Sequence, residues 1–231
     1  KNYILKYVQH KIKDDIFFIP TNNFHRRDIN QFLNSNPEEK DTYEFIAKLM
    51  PLLKGDLVHA GCYLGEMLPS FSRSLYHGSK LYCFEPILEQ YFCSRKVIKA
   101  NNLSNVVIFN CALSDELGSG GLNAFDNKNR PLASRSSVKK SLDNEVTFLK
   151  IDNLEINNLG CIHLDIEGHE YFALKGAEIA IQRSKPVILV EDDEKKLSPF
   201  LTKKGYFIFK ELSALTVWIH PTKASLIQSL L

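Results

Sequence analysis

The chain has 231 residues, 44% of them hydrophobic and 24% charged, and a net charge of +2, as expected for one soluble globular domain with a sizeable core. So even a balance gives no electrostatic footprint for nucleic acid, and Arg26-Arg27, Lys139-Lys140 and Lys203-Lys204 read as solvated surface. No apolar run approaches the roughly 20 residues that span a bilayer, and no signal-peptide pattern follows Lys1. Cys62, Cys83, Cys93, Cys111 and Cys161 are odd in number and lack C-x-x-C spacing. They read as small buried hydrophobes in a reducing, cytoplasmic setting.

Residues 1–38 mix apolar and charged side chains around a Pro20-Thr21-Asn22-Asn23 break and read as an N-terminal cap segment. The main domain is expected over 39–231. A helix over Glu39–Leu53 precedes a strand at Asp56–Ala60. Further strands follow at Lys80–Phe84, Val106–Asn110, Cys161–Ile166 and Pro186–Glu191. All are apolar enough to be covered on both faces. Helical spacing separates them at Glu66–Tyr76, Leu88–Asn101 and Tyr171–Arg183. Alternating β and α units imply a parallel sheet with helices on both faces. Tyr206–Lys210 and Leu215–His220 have only Glu211–Ala214 between them, which forces an antiparallel hairpin. The fold class is therefore α/β, five parallel strands plus a terminal antiparallel hairpin.

The stretch 114–158 interrupts this alternation with turn chemistry at Gly118–Gly121, Asn127–Pro131 and Ser134–Ser137. So long an excursion is more often functional than idle, and it reads as a lid or substrate region with Val146–Ile151 as an edge strand. Ser134, Arg130 and Arg135 could contact a polar or anionic acceptor there. At the C-terminus, Leu226, Ile227, Leu230 and Leu231 leave open whether they cap the core or pair two chains as a homodimer.

Chemistry collects at the strand ends. His59-Ala60-Gly61-Cys62-Tyr63-Leu64-Gly65 joins the first strand to a helix, with glycines that allow a tight turn and close backbone approach to a ligand. Phe84-Glu85-Pro86 ends the second strand, placing Glu85 where an acid accepts ribose hydroxyls. Asn110-Cys111-Ala112-Leu113 follows the third. His163-Leu164-Asp165-Ile166-Glu167-Gly168-His169-Glu170 ends the fourth, and extended alternation would put His163, Asp165 and Glu167 on one face. Such a set, with His169, could ligate a metal in a hydrolase. A nicotinamide dehydrogenase fits less well, because Gly-x-Gly-x-x-Gly is missing.

In order along the chain, these motifs resemble the FkbM-type S-adenosylmethionine-dependent methyltransferases. Their hallmark Lys-x-Asp-x-Glu-Gly-x-Glu corresponds to residues 163–170, and Leu174-Lys175-Gly176 follows. Phe-Glu-Pro, Asn-x-Ala-Leu and the Val-Ile-Leu-Val-Glu ending at Glu191 also match, over roughly residues 55–195. There are two departures: His163 stands in place of the family's lysine, and His59 in place of an aspartate two residues before Gly61.

The resemblance implies a Rossmann-like methyltransferase sheet and S-adenosylmethionine as cofactor, leaving S-adenosylhomocysteine. His59, Ala60, Gly61, Cys62, Tyr63, Gly65, Glu85, Pro86, Ala112, Leu113 and Asp165 would form the cofactor site, with backbone near Ala112 facing the adenine. Asp165 would border the methyl-bearing end, and Glu167 or His169 would handle the acceptor proton, with Glu191 as a further candidate. Implied partners are a small-molecule or glycan acceptor whose hydroxyl is methylated, with no nucleic acid and no membrane. A non-catalytic cofactor-binding protein is the remaining alternative.

Overall fold

The computed structural model describes residues 6–21, 23, 26–34, 39–123, 137–139, 145–191 and 196–230. Arg130, Ser134 and Arg135 lie outside them. The chain opens with an antiparallel hairpin of β1 (Tyr7–Ile12) and β2 (Asp15–Pro20), then a short helix α1 (Arg27–Leu33). Alternation of strand and helix begins with α2 (Lys40–Leu53), β3 (Asp56–Ala60), α3 (Leu68–Ser74), β4 (Leu81–Phe84), α4 (Leu88–Ala100) and β5 (Val106–Phe109). It resumes with β10 (Leu159–Leu164), α5 (Glu170–Lys175), α6 (Glu178–Ser184), β11 (Val187–Val190) and α7 (Leu197–Lys203). The end is β12 (Phe207–Glu211), β13 (Thr216–Ile219) and α8 (Pro221–Ile227).

Seven of these strands form one sheet in the order β12-β13-β11-β10-β3-β4-β5. β13 runs antiparallel to both neighbours, and the pairings among β11, β10, β3, β4 and β5 are parallel. The five parallel strands and terminal hairpin expected from the spacing are thus present. Side chains alternate along each strand. Val58, Ala60, Ile162 and Leu164 face a core closed by α5, α6 and α7. Leu57, Cys161, Val187 and Leu189 face a second core closed by α2, α3 and α8. Burial on both faces explains the nearly unbroken apolar runs. Ile227 is sealed into the second core, whereas Leu226 stays exposed. All five cysteines are buried and unpaired. Among the described residues no helix is long and apolar enough to cross a membrane.

The stretch between β5 and β10 contains a second sheet, in the order β6-β9-β7-β8, made of β6 (Ala112–Leu113), β7 (Gly118–Asn123), β8 (Ser137–Lys139) and β9 (Glu145–Leu149). The strand expected at an edge over Val146–Ile151 is therefore β9, an inner strand of this second sheet. Its apolar Val146 and Phe148 pack on Ala112, which favours an inner position. The N-terminal segment is tied to the main domain by Asn101, whose side chain accepts from the Ile16 N–H at 2.8 Å and donates to the Ile16 carbonyl at 2.7 Å. An Arg73–Asp15 ion pair adds a second tie.

The single helix expected over Tyr171–Arg183 is split at Gly176-Ala177. A Cβ at Gly176 would lie 1.9 Å from the Ser114 carbonyl oxygen, so the backbone there is pressed against the strand-end segment following β6. The restarted helix α6 borrows its cap: Asp152 accepts from the N–H groups of Ile179 and Ala180 at 3.0 and 2.9 Å. Asp152→Ala is expected to lower unfolding stability by about 1 kcal/mol, measured by urea titration.

Candidate active site

The loop after β3 turns through three left-handed residues, Gly61 (φ +85°), Tyr63 (φ +45°) and Gly65 (φ +82°). A Cβ on Gly61 would stand 1.9 Å from the backbone oxygen of Asp165, so the ends of β3 and β10 touch through a position that only glycine fits. The Asp165 N–H donates to Ala60 O at 3.2 Å, extending the β3–β10 ladder by one rung. Gly61 and Cys62 N–H groups both reach Phe84 O on the other side, at 3.2 and 3.4 Å.

Glu85 is only 3% exposed. One of its oxygens accepts from the Tyr63 N–H at 2.9 Å and the other from the Ile87 N–H at 2.8 Å. The carboxylate thus pins the strained Tyr63 and fixes the distance between the first two strand-end loops, a tie that sequence spacing could not show. Burial pushes its pKa up to about 8, against the opposite pull of the two donors. Each oxygen keeps a second lone pair for a ligand hydroxyl. Pro86 and the Glu85 carbonyl are held by the Asn110 amide at 3.0 and 2.9 Å. Ala112 and Leu113 are buried and paired in register with Phe148 and Leu149.

The octapeptide departs from simple alternation. β10 ends at Leu164, and Glu167 (φ +56°) and Gly168 (φ +92°) turn the chain, so His163, Asp165 and Glu167 do not share a strand face. His163 is fully buried on the α2–α3 side, where its Nδ1 lies 2.9 Å from Nδ1 of His59. Both rings pack edge-on to Phe71. That contact removes His163 from any ligand set with Asp165, Glu167 and His169. Among the described residues no group of three or more His, Cys, Asp or Glu could hold a metal ion.

The remaining members stay at the strand edge. Burial raises the pKa of Asp165. His169 has its Nε2 3.1 Å from Ser114 Oγ and its ring stacked on Phe172 at 4.8 Å. Burial lowers its pKa, opposed by Asp115 and Glu116, so the ring is neutral near pH 7 and able to accept a proton. Glu170 is spent structurally: it accepts from the Ile166 N–H at 2.9 Å and holds the turn.

Two acids missed by sequence reasoning join Asp165. Glu39 stands just before α2, and Glu66 directly follows Gly65. Burial, then the charges of Asp165 and Glu66, push the pKa of Glu39 up to about 8. Glu66 could have been noticed for its place after the glycine turn. Glu39 carries no local signal, since only the packing of α2 brings it there. Tyr63, Leu64 and Glu66 also line a small cleft walled by Phe17, Phe18 and Phe32 of the N-terminal segment.

The arrangement is a glycine turn against a strand end, a buried acid at the next strand end and a group of carboxylates. Residues 65–208 match the Methyltransferase FkbM domain. No curated protein matches the sequence. Among solved structures, the chain is similar to the methyltransferase FkbM from Methylobacillus flagellatus KT, with 16% identity and a TM-score of 0.55. The match covers 82% of this chain and 52% of that one, so the chain spans about half its length. It is also similar to cofactor-bound Rv0187 from MTB, with 9% identity and a TM-score of 0.50, covering 78% and 79% of the two chains. With the family domain matched over more than half of its residues, the chain belongs to the FkbM family of S-adenosylmethionine-dependent methyltransferases.

Proposed function

We propose that the protein transfers a methyl group from S-adenosylmethionine to a hydroxyl of a sugar, glycan or natural-product acceptor. The observation that carries the donor site is the contact of Gly61 with Asp165, flanked by Glu39 and Glu66. Carboxylates gathered there suit a ligand that carries both an ammonium and a sulfonium, and they answer for the acid lacking at His59. Gly61 and the backbone of Ala60, Cys62, Tyr63 and Gly65 would cradle the amino-acid end. Glu85 would accept from the ribose, and Pro86, Ala112 and Leu113 would border the adenine. S-adenosylmethionine supplies an already activated methyl group.

What is left for the chain is to orient the acceptor and take its proton. His169 is neutral and sits where β10 hands over to α5, beside Ser114 and the second sheet. We assign it the proton, with Glu167 as the neighbouring acid and Asp165 at the methyl-bearing end. The second sheet, within the 114–158 region, would border the acceptor.

Two variants test these roles. His169→Asn should lower turnover by roughly 10²- to 10⁴-fold, the range of general-base loss, while S-adenosylhomocysteine binds as in the wild type. Asp165→Ala should weaken S-adenosylhomocysteine about tenfold, equivalent to about 1.4 kcal/mol. Unchanged affinity and turnover in Asp165→Ala would remove it from the site. Methylated product analysed by mass fragmentation should carry the new methyl on oxygen; a methyl on nitrogen or carbon overturns O-transfer.

A further inference from the structure

The two positions at which the sequence departs from the family pattern, His59 and His163, turn out to be each other's partners. They face one another in register across β3 and β10. Their Nδ1 atoms are 2.9 Å apart and their ring centroids 4.7 Å. Exposure is 1% for His59 and 0% for His163. One Nδ1 must carry a proton and the other must not, so a single neutral hydrogen bond joins the strands. Two residues further along each strand come Gly61 and Asp165, the pair whose backbones touch at the proposed donor site.

We infer that the His59–His163 hydrogen bond is a positioning couple: it locks the ends of β3 and β10 side by side and so sets the Gly61–Asp165 contact that receives the donor. This rests on the donor reading above. Three observations support it. The couple stands in register two residues before the Gly61–Asp165 contact on both strands. Phe71 of α3 packs against both rings, at 5.2 and 5.6 Å, and holds their orientation. Finally, the couple is a poor choice for stability alone. His163 Nε2 is buried without a hydrogen-bond partner, and replacing both members of a buried pair by apolar groups of similar shape is close to neutral. The joint departure also makes sense as one exchange: an acid opposite a lysine would join the same two strands by an ion pair, whereas a histidine opposite that lysine would leave a buried ammonium without a counter-charge.

A double variant separates positioning from packing. In His59→Leu/His163→Leu the core stays filled, so its melting temperature should stay within a few degrees of wild type, while S-adenosylhomocysteine affinity should fall about tenfold. His59→Asp/His163→Lys restores a strand-to-strand link and should bind within about threefold of wild type, whereas His163→Lys alone, with a buried ammonium and no counter-charge, loses tenfold or more. Wild-type affinity in the folded double-leucine variant would overturn the role of the couple. Should that variant fail to fold, equal loss in the Asp–Lys double and in His163→Lys alone would do the same. A wild-type protein that binds no S-adenosylhomocysteine would instead sink the donor reading, and the couple's role with it.

Discussion

Gly61→Ala is expected to cost about 4 kcal/mol or more of unfolding stability and to abolish donor binding in whatever remains folded. Two effects add. An L side chain at φ +85° pays about 1–2 kcal/mol in the left-handed region. The new Cβ would also sit 1.9 Å from the Asp165 carbonyl oxygen and 2.9 Å from its carbon. Backbone cannot rotate away as a side-chain tip can, so β3 and β10 must part at the site. Gly78 provides the control, because it has a similar φ of +88° but no atom within 4 Å of a Cβ. Gly78→Ala should therefore show the conformational penalty alone, about 1–2 kcal/mol. Urea titration of both variants reads the difference. A Gly61→Ala protein as stable as Gly78→Ala would mean that the strand ends are not in contact.

The second large effect is acid destabilisation through the histidine couple. Burial pushes His163 down to about 4, and burial followed by the neighbouring His163 lowers His59 further. An unfolded histidine titrates near 6.5. Between about pH 6.5 and 4 the unfolded chain therefore binds protons that the folded chain refuses, and stability falls as pH falls. His163 alone accounts for about 3 kcal/mol over that window, at about 1.4 kcal/mol per pH unit. Glu39 and Glu85 act in the opposite sense. Both are held near 8 when folded, so their contribution is present at low pH and lost as pH rises from about 4.5 to 8. The couple's share is accordingly the difference between wild type and His59→Leu/His163→Leu, followed by urea titration across pH. That difference should grow as the pH drops from 6.5 to 4. A difference independent of pH would show that the histidines are solvated.

Much of this architecture was legible in the sequence because it is local. Apolar runs bounded by turn residues mark the parallel strands, the four-residue Glu211–Ala214 link dictates a hairpin, and Gly61 and Gly65 flag the turn. What escaped depends on register and packing. His59 and His163 are separated by 104 residues, and nothing short of the β3–β10 alignment makes them neighbours. Alternation through Glu167 takes Gly168 as the turning point, yet the chain already turns left-handed at Glu167. The break in the 171–183 helix follows from the approach of Gly176 to Ser114, a tertiary contact. A glycine inside a helical pattern was the only local hint, since it costs about 1 kcal/mol relative to alanine. Glu39 enters the site only because α2 packs beside α3.

The donor site is tested most directly by calorimetric titration of the wild-type protein with S-adenosylhomocysteine, with NAD as the comparison ligand. One-to-one binding of S-adenosylhomocysteine and no heat with NAD are expected. Silence toward S-adenosylhomocysteine, or binding of NAD in its place, would contradict the assignment of the Gly61–Asp165 junction as a methyl-donor site.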